Sequence, residues 1–518
     1  MIRAFATVGL WTMLSRILGF VRDIMIAAFL GAGPVAEAFV IAFSLPNMFR
    51  RFFAEGAFNM AFVPLFSKKL EAGDDPEGFA RDALTGLALV LVVFTTLALF
   101  AMPWLVFAMA SGFVGDARFD LATLYGRIAF PYIFFISLAA LASGVLNAAG
   151  HFVAAAAAPV LLNILFVAAL IVGDGLGWDA GLTLSWAVPF AGIAQLALVW
   201  VAAKRAGFAL VPRWPRLTPD LRRLAIIAAP AALAGGVVQV NLLVGRQVAS
   251  YFEGAAAWLY YADRLYQLPL GVVGIAIGIV LLPDLSRRLQ ADDSAGGQQA
   301  FSRAAEMALA LTLPAAVALM VIPLPLVSVL FERGAFSAAD SAPTALAAAV
   351  YGAGLPAFVL QKVLQPLYFA REDTRRPFRY ALVAMGLNAA IAIGLAPVVG
   401  YIAAALGATL AGWGMTWLLW RGTRDMGQAA TPDARFWARL PRIALASALM
   451  GAVLLAASAT LANLLSQDGV RYAALVALIA VGIASYAVAA QLTGAFRLSQ
   501  LKRDLRRSAP PQEGDNPR

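Results

Sequence analysis

Seven charged side chains occur between residues 15 and 66, in a stretch that is otherwise apolar enough to lie in a membrane and that a predicted Gly-Ala-Gly-Pro turn at 31–34 divides. They are Arg16, Arg22, Asp23, Glu37, Arg50, Arg51 and Glu55. Because a charge at mid-bilayer costs about 2.5–3.5 kcal/mol even on lenient insertion scales, such residues usually mark a polar pathway or binding site. Cations outnumber acids here, and the planar, permanently charged fork of arginine suits phosphate. The stretch therefore predicts a cationic site for a large anion.

Helical spacing predicts which of these side chains share a face. At about 100° per residue, Glu37 and Glu55 are separated by about five full turns, and Arg51 lies within about 40° of them. A continuous helix would set Glu37, Arg51 and Glu55 on one face, with Arg50 about 100° away. Pro46 can interrupt this alignment, because proline removes a backbone hydrogen bond and kinks a helix.

Two other short motifs place cations in apolar segments. Arg16 and Arg22 differ by about 120° around their helix, so both can flank one cleft without forming a row. The motif Tyr260-Tyr261-Ala262-Asp263-Arg264 brings another arginine into the second half of the chain.

A purely structural interpretation stays open for the same residues. Arg16 or Arg22 can pair with Asp23, and similar pairs are available to Arg51 with Glu55 and to Arg264 with Asp263. Three more cations within apolar segments can extend to the membrane surface along their aliphatic stems: Arg127, Arg246 and Lys362.

The composition predicts an all-α polytopic membrane protein. Of 518 residues, 62% are hydrophobic and 13% charged, whereas soluble domains carry about 25% charge. The run after Arg3 continues past Arg16 with no convincing cleavage site, so we interpret it as a membrane helix. About fourteen apolar segments are long enough to span a bilayer: 5–30, 35–66, 84–110, 122–148, 154–173, 182–203, 224–250, 256–285, 304–331, 343–370, 379–396, 400–420, 439–465 and 471–494.

The loop cations predict the orientation of these segments. The side that carries the N-terminus holds 28 of the 39 Lys and Arg residues, and the opposite loops hold three: Arg118, Arg333 and Arg471. This bias predicts that both termini are cytoplasmic. It also assigns the net charge of +10 to topology, so we expect no nucleic-acid partner.

Internal similarity predicts a repeat of six helices. Residues 64–72 match 283–291, and Leu162-Asn163 matches Leu387-Asn388. We predict an N-lobe at 1–203, a cytoplasmic linker at 204–223, a C-lobe at 224–424, two extra helices at 425–496 and a disordered cytoplasmic tail at 497–518. Two such lobes would face each other across a central cleft.

Several chemistries are disfavoured by composition. The chain has no Cys and one His, His151, so thiolate and multi-histidine metal sites are excluded. We find no Walker motif, and we expect no cofactor, no metal and no enzymatic activity.

The charged motifs resemble those of the MurJ (MviN) family of lipid II flippases, within the larger group of multidrug and polysaccharide exporters. The resemblance rests on residues 15–23, 31–33, 45–51, 53–58, 61–64 and 260–265. It implies two six-helix lobes in a V-shaped arrangement, with two further helices forming a groove for a polyprenyl tail. It implies that lipid II, the lipid-linked peptidoglycan precursor, is moved to the periplasmic leaflet.

The resemblance also implies roles for particular residues. Arg16, Arg22, Arg50 and Arg264, with Arg51 adjacent, match cavity arginines that meet the diphosphate and sugar, and Asp23, Glu37, Glu55 and Asp263 are supporting or gating residues. The family acid at position 37 is commonly Asp. Some relatives bind sodium through an acid in the seventh helix, but residues 230–250 contain no acid here.

Alternative functions remain open at this point. The chain could flip another polyprenyl-diphosphate oligosaccharide, export drugs in exchange for a cation, or act as a scaffold for cell-wall synthesis proteins. The arginine excess disfavours drug export, which requires acids for cationic drugs. A scaffold has no need of intramembrane charge. The expected partners are lipid II or a similar polyprenyl-diphosphate glycolipid, membrane lipids and cell-wall synthesis proteins.

Overall fold

The computed structural model describes residues 2–51, 53 and 57–495, which form nineteen α-helices. In chain order they are α1 (Ile2–Leu30), α2 (Pro34–Arg50), α3 (Ala57–Ala72), α4 (Pro76–Phe100), α5 (Met102–Met109), α6 (Ala117–Ala129), α7 (Tyr132–Ala148), α8 (Val153–Gly175), α9 (Ala180–Arg205), α10 (Pro219–Ser250), α11 (Ala255–Gln290), α12 (Ser294–Val321), α13 (Pro323–Phe331), α14 (Ala338–Phe369), α15 (Arg375–Val399), α16 (Ile402–Gly422), α17 (Ala434–Thr460), α18 (Ala462–Ser466) and α19 (Arg471–Leu492).

The predicted helical membrane class is confirmed. Ten helices in the described part are long and apolar enough to cross a bilayer, and all ten coincide with predicted segments. The remaining four predicted segments are occupied by α1, by α2 with α3, by α10 and by α11. The figure of fourteen spans and the paired repeats stay predictions, and the predicted tail at 497–518 lies outside the described residues.

Helix starts in this chain follow from capping chemistry. Aspartate precedes α9 and α17, where Asp179 Oδ1 accepts from the Leu182 N–H at 2.7 Å and Asp433 Oδ1 accepts from the Phe436 N–H at 2.8 Å. Such caps satisfy backbone donors that have no partner inside the helix. The caps therefore fix where the apolar segments begin.

The described chain forms two compact units, of which the first holds the chain up to Arg264 together with Leu330–Thr344 and Asn388–Gly407. In this unit α1 packs on α8, α2 on α6, and α9 on both α7 and α8. Glycines at these contacts let the helices approach: a Cβ on Gly192 would lie 2.8 Å from Tyr132, and one on Gly181 would lie 2.3 Å from the Tyr125 hydroxyl. This small-residue packing is typical of membrane helices.

The second unit contains the predicted extra helices, here α17 and α19, packed with α12. Ala310 of α12, Ala446 of α17 and Ala490 of α19 are buried together, and the Tyr486 hydroxyl donates to Ala310 O at 2.7 Å. Buried Glu306 of α12 also pairs with Arg439 of α17 at 3.1 Å. Helices α17 and α19 are thus tied to α12 by apolar contacts, and α17 also by an ionic contact.

Side-chain contacts fix the basic linker at 204–223 to the first unit. Arg213 Nη2 forms an ion pair with Asp82 of α4 and also donates to Gly78 O at 2.9 Å. Lys69 pairs with both Asp74 at 2.7 Å and Asp220 at 3.0 Å. Both hydrogen bonds raise the pKa of Lys69, and the one to Asp74 has the larger effect. The contact with Asp220 links the end of α3 to the first turn of α10.

The predicted turn at 31–34 separates α1 from α2 and is braced by a second glycine. Gly31 has φ of 65°, and Gly334 has φ of 56°. The Ala335 N–H donates to Ala28 O at 2.7 Å, at the carboxyl end of α1. A Cβ on Gly334 would lie 2.2 Å from that same oxygen. Only glycine satisfies both the backbone conformation and the contact.

We therefore expect Gly334→Ala to lower the free energy of unfolding by about 2–4 kcal/mol, because left-handed strain and a backbone clash add together. The matched control is Gly115→Ala, where φ is 85° but no atom lies within 4 Å, so only the strain of about 1–2 kcal/mol applies. Thermal unfolding of the detergent-solubilised protein measures both. Equal losses in the two variants would show that the contact with Ala28 contributes nothing.

Candidate functional site: two guanidinium groups on one carboxylate

Asp23 of α1 is the centre of a buried charged cluster. Its side chain is 3% exposed, and Oδ1 accepts two hydrogen bonds from Arg22, from Nε at 3.1 Å and from Nη2 at 2.8 Å. The pair is formed by neighbours in sequence, so α1 brings a cation and its counter-ion into the membrane together. A buried charge needs such a partner, because desolvation is otherwise uncompensated.

A second cation reaches the same carboxylate from α11. Arg264 Nε lies 3.3 Å from Asp23 Oδ2, and the Arg264 side chain is 28% exposed. Tyr260, one turn earlier on α11, donates its hydroxyl to Asp23 Oδ1 at 2.9 Å. The Arg264 guanidinium also lies 4.4 Å from the centre of the Tyr260 ring, in cation–π contact.

Asn163 of α8 holds the other side of Arg22. Its Oδ1 accepts from Arg22 Nη1 at 3.0 Å, and its Nδ2 donates to Ser15 O of α1 at 2.9 Å. The rings of Phe43 and Phe166 lie 5.9 and 5.6 Å from the Arg22 guanidinium. Arg22 is therefore oriented by a carboxylate, an amide and two aromatic rings.

This arrangement is chemically suited to an anion. Two guanidinium groups share one carboxylate, which leaves the trio with one positive charge in excess. Arg264 is the more exposed of the two cations and Arg22 is 10% exposed. A diphosphate presents oxygens to several N–H donors at once, and arginine forks bind such oxygens in pairs.

Glu37 belongs to a separate ionic cluster. It is fully buried, and its Oε2 accepts from Arg118 Nη1 at 3.0 Å while Oε1 accepts from the Ala256 N–H at the start of α11 at 3.1 Å. Arg118 also pairs with Asp116 at 2.6 Å. The Arg118 backbone N–H, donating at 3.0 Å, lowers the pKa of Asp116.

The remaining predicted site residues have varied surroundings. Arg16 is half-buried, and among the described residues its Nε has no hydrogen-bond partner. Arg50 is half-buried at the end of α2, Arg51 is exposed, and Asp263 is half-buried. Glu55, the third member of the predicted face with Glu37 and Arg51, lies outside the described residues.

Of the cations expected to extend to the membrane surface, Arg127 is exposed and has a backbone partner. Its Nε donates to Leu99 O at 3.3 Å, in the last turn of α4. Helix ends leave carbonyl groups without intrahelical partners, and Arg127 satisfies one of them. This contact supports a structural role for Arg127.

Four polar contributors to these clusters were not among the predicted site residues: Asn163, Tyr260, Arg118 and Asp116. Arg118 had a usable signal, because it is one of only three cations in the opposite loops. Asn163 and Tyr260 are neutral, so the charge count could not select them. In the described residues no group of three or more His, Asp or Glu side chains could hold a metal ion.

The two asparagines that the predicted repeat would pair, Asn163 and Asn388, make similar backbone contacts. Asn163 donates to Ser15 O, 148 residues away, and Asn388 of α15 donates to Asn241 O of α10 at 3.3 Å, 147 residues away. Asn388 also donates to Asn241 Oδ1 at 2.8 Å. An asparagine thus bridges two helices in each half of the chain, and Asn163 in addition accepts a hydrogen bond from the Arg22 guanidinium.

Comparison with known proteins places this chain in a family. The family model for lipid II flippase MurJ matches residues 26–492. A Rhizobium tropici protein described as "Probable lipid II flippase MurJ" is 42% identical over 532 residues, covering 99% of this chain and 98% of its own.

Two solved structures share the fold. A lipid II flippase MurJ in an inward closed conformation has a TM-score of 0.79 at 24% identity, covering 96% of this chain and 99% of its own. An inward-facing multidrug resistance transporter of the MATE family, in the MOP superfamily, has a TM-score of 0.68 at 15% identity, covering 81% and 96%.

Proposed function

Because this chain belongs to the lipid II flippase MurJ family, we propose that it moves lipid II from the cytoplasmic to the periplasmic leaflet and that Arg22, Asp23 and Arg264 hold the lipid's diphosphate. The protein is a transporter of the inner membrane, and its role is in peptidoglycan and cell-wall synthesis. It is not an enzyme. The observation that carries the site is the single carboxylate shared by two guanidinium groups.

The proposed chemistry is an exchange of counter-ions. In the free protein Asp23 neutralises part of the charge on Arg22 and Arg264. A diphosphate would supply oxygens that accept hydrogen bonds from the N–H donors of both arginines. These charged donors bind an anion more strongly than water does. The excess positive charge is what would favour the lipid headgroup in a setting of low dielectric constant.

The other charged residues extend this site in the proposal. Arg16, Arg50 and Arg51 would meet the remainder of the headgroup, while Glu37, Glu55 and Asp263 would support or gate it. The Glu37 contacts to Arg118 and to the start of α11 favour a gating role, because those contacts join three helices.

We assign the movement to alternating access, with the polyprenyl tail remaining in the bilayer and α17 and α19 providing its groove. The basic loops, and with them both termini, would face the cytoplasm. Rocking of the two six-helix lobes at 1–203 and 224–424 would expose the site first to one leaflet and then to the other.

A second candidate is a flippase for another polyprenyl-diphosphate oligosaccharide, which would present the same diphosphate to the same arginines. Cation-coupled drug export, suggested by the shared fold alone, is disfavoured. The described trio has one acid and two cations, whereas a cationic drug requires the opposite balance.

The deciding experiment measures lipid II in the outer leaflet of cells depleted of this protein. An enzyme added to the periplasm, which cleaves only flipped lipid II, gives the readout. We expect depletion to abolish cleavage, wild type to restore it, and Arg22→Ala to leave it below about one-hundredth of wild type, because a charged hydrogen-bond partner of the substrate is lost.

Arg127→Ala is the matched control, since it removes an intramembrane arginine whose described partner is a backbone carbonyl. It should restore cleavage. Unchanged cleavage on depletion would mean that another protein flips lipid II, and the second candidate would then replace this proposal.

A further inference from the structure

Two neutral side chains, Tyr260 and Asn163, contact the charged trio of Arg22, Asp23 and Arg264. Tyr260 donates to Asp23 Oδ1 at 2.9 Å and lies under the Arg264 guanidinium at 4.4 Å. Asn163 accepts from Arg22 Nη1 at 3.0 Å and donates to Ser15 O at 2.9 Å. Each therefore constrains one of the two guanidinium groups.

We infer that Tyr260 and Asn163 are positioning residues that hold the Arg264 and Arg22 guanidinium groups at a fixed separation, so that the site prefers a diphosphate to a monophosphate. This inference rests on the proposed function and adds a specificity to it. Neither side chain carries charge, so neither is needed to attract an anion. Their contribution is to the geometry of the two charged donors.

The argument for Tyr260 is that one ring serves two purposes. Its hydroxyl fixes Asp23, and its face supports Arg264, four residues later on the same helix. Without the hydroxyl, Asp23 keeps Arg22 as a donor, but its link to α11 is reduced to the longer 3.3 Å contact with Arg264. The separation of the Arg264 and Arg22 guanidinium groups would then be fixed less tightly.

The argument for Asn163 is that both ends of its buried amide make a hydrogen bond. Oδ1 accepts from the guanidinium and Nδ2 donates to a carbonyl of α1, the helix that carries Arg22. The side chain is 4% exposed. A buried amide with both ends satisfied is a rigid spacer, because any rotation leaves a polar group without a partner.

The preference for diphosphate over monophosphate depends on the separation of the two guanidinium groups more strongly than the affinity for a single phosphate does. A monophosphate can be bound by either guanidinium alone, wherever it points. A diphosphate gains from both only if they are presented together, so the gain is lost when either one moves. A structural role without positioning would weaken both ligands equally.

The experiment compares binding of farnesyl diphosphate and farnesyl monophosphate to the purified full-length protein in detergent. The test variants are Tyr260→Phe, which keeps the ring, and Asn163→Leu, which keeps the volume. Each control removes a similar group. Tyr261→Phe deletes a neighbouring buried hydroxyl that donates to Gly31 O at 2.7 Å, and Asn388→Leu deletes the repeat-related amide.

We expect the preference for diphosphate over monophosphate to fall about tenfold in each test variant, as for loss of one hydrogen bond to a charged group, and to be unchanged in each control. Asn163→Gln should recover less than half of the loss, because its longer side chain cannot make both contacts. Thermal unfolding of all five variants separates folding defects from binding defects, since selectivity is measured on the folded fraction.

The outcomes distinguish this inference from the proposed function. If Arg22→Ala lowers affinity for farnesyl diphosphate but Tyr260→Phe and Asn163→Leu keep the wild-type preference, the site stands and the positioning inference is wrong. If Arg22→Ala leaves the affinity unchanged, the cluster is not the diphosphate site and both fail. A parallel loss of both ligands in the test variants would also overturn positioning.

Discussion

Asp23→Asn is expected to abolish flipping, with lipid II exposure in the outer leaflet falling more than about 100-fold. The substitution leaves Arg22 and Arg264 adjacent and without their shared counter-ion, and breaking a buried ion pair in this way costs about 3–5 kcal/mol. The periplasmic cleavage assay measures the loss, and immunoblotting measures how much protein reaches the membrane.

A second substitution separates instability from loss of function. Asp23→Asn/Arg264→Gln restores the net charge of the trio, so we expect it to recover much of the thermal stability but none of the flipping. Asp284→Asn is the control, because its partner Arg288 lies at 2.9 Å on a half-exposed surface where a pair is worth about 1 kcal/mol or less. Flipping by the double variant would show that a two-arginine site is not needed.

Arg118→Met should be the most destabilising single substitution outside this site. Glu37 would remain fully buried, with its described hydrogen bond from the Ala256 N–H and no guanidinium. We expect a loss of about 3–5 kcal/mol in the free energy of unfolding, as for other buried pairs that lose one partner. Thermal unfolding in detergent gives the comparison with wild type.

Removing both charges should be milder than removing one. In Glu37→Gln/Arg118→Met the amide can keep the hydrogen bond from Ala256 N–H, and no unpaired charge stays buried, so we expect recovery to within about 1–2 kcal/mol of wild type. If the double variant is instead as unstable as the sum of the single variants, Glu37 and Arg118 act independently and their 3.0 Å contact is energetically unimportant.

Several features of the protein could be predicted without a structure because they depend on local sequence. Apolar length gave segments that coincide with all ten spanning helices of the described part. The turn at 31–34 followed from glycine and proline chemistry, and α2 does begin at Pro34 after Gly31 with positive φ. The arginine excess within these segments predicted an anion site, and the charged motifs pointed to the family that the comparisons bear out.

Sequence adjacency predicted the pair of Arg22 with Asp23, which the structure contains, but the charge partners that come from other helices could not be predicted in the same way. For Arg264 the sequence suggested adjacent Asp263 as a partner, and no sequence pattern indicated the ion pair with Asp23 of α1. Likewise, Glu37 was placed by helical periodicity on a face with Arg51, but its described partners are Arg118 and the start of α11. Periodicity gives the direction of a side chain around its helix and contains no information on which other helix lies there.

The sequence by itself determined the helical membrane class, the family and the excess of arginine within the apolar segments, because each depends on residue type and on spacing within one segment. Only the tertiary structure decided that Tyr260, Asn163 and Arg118 complete the ionic clusters. Tyr260 is 237 residues from Asp23, and Asn163 is 141 residues from Arg22. Contacts over such separations arise from helix packing, which no local pattern encodes.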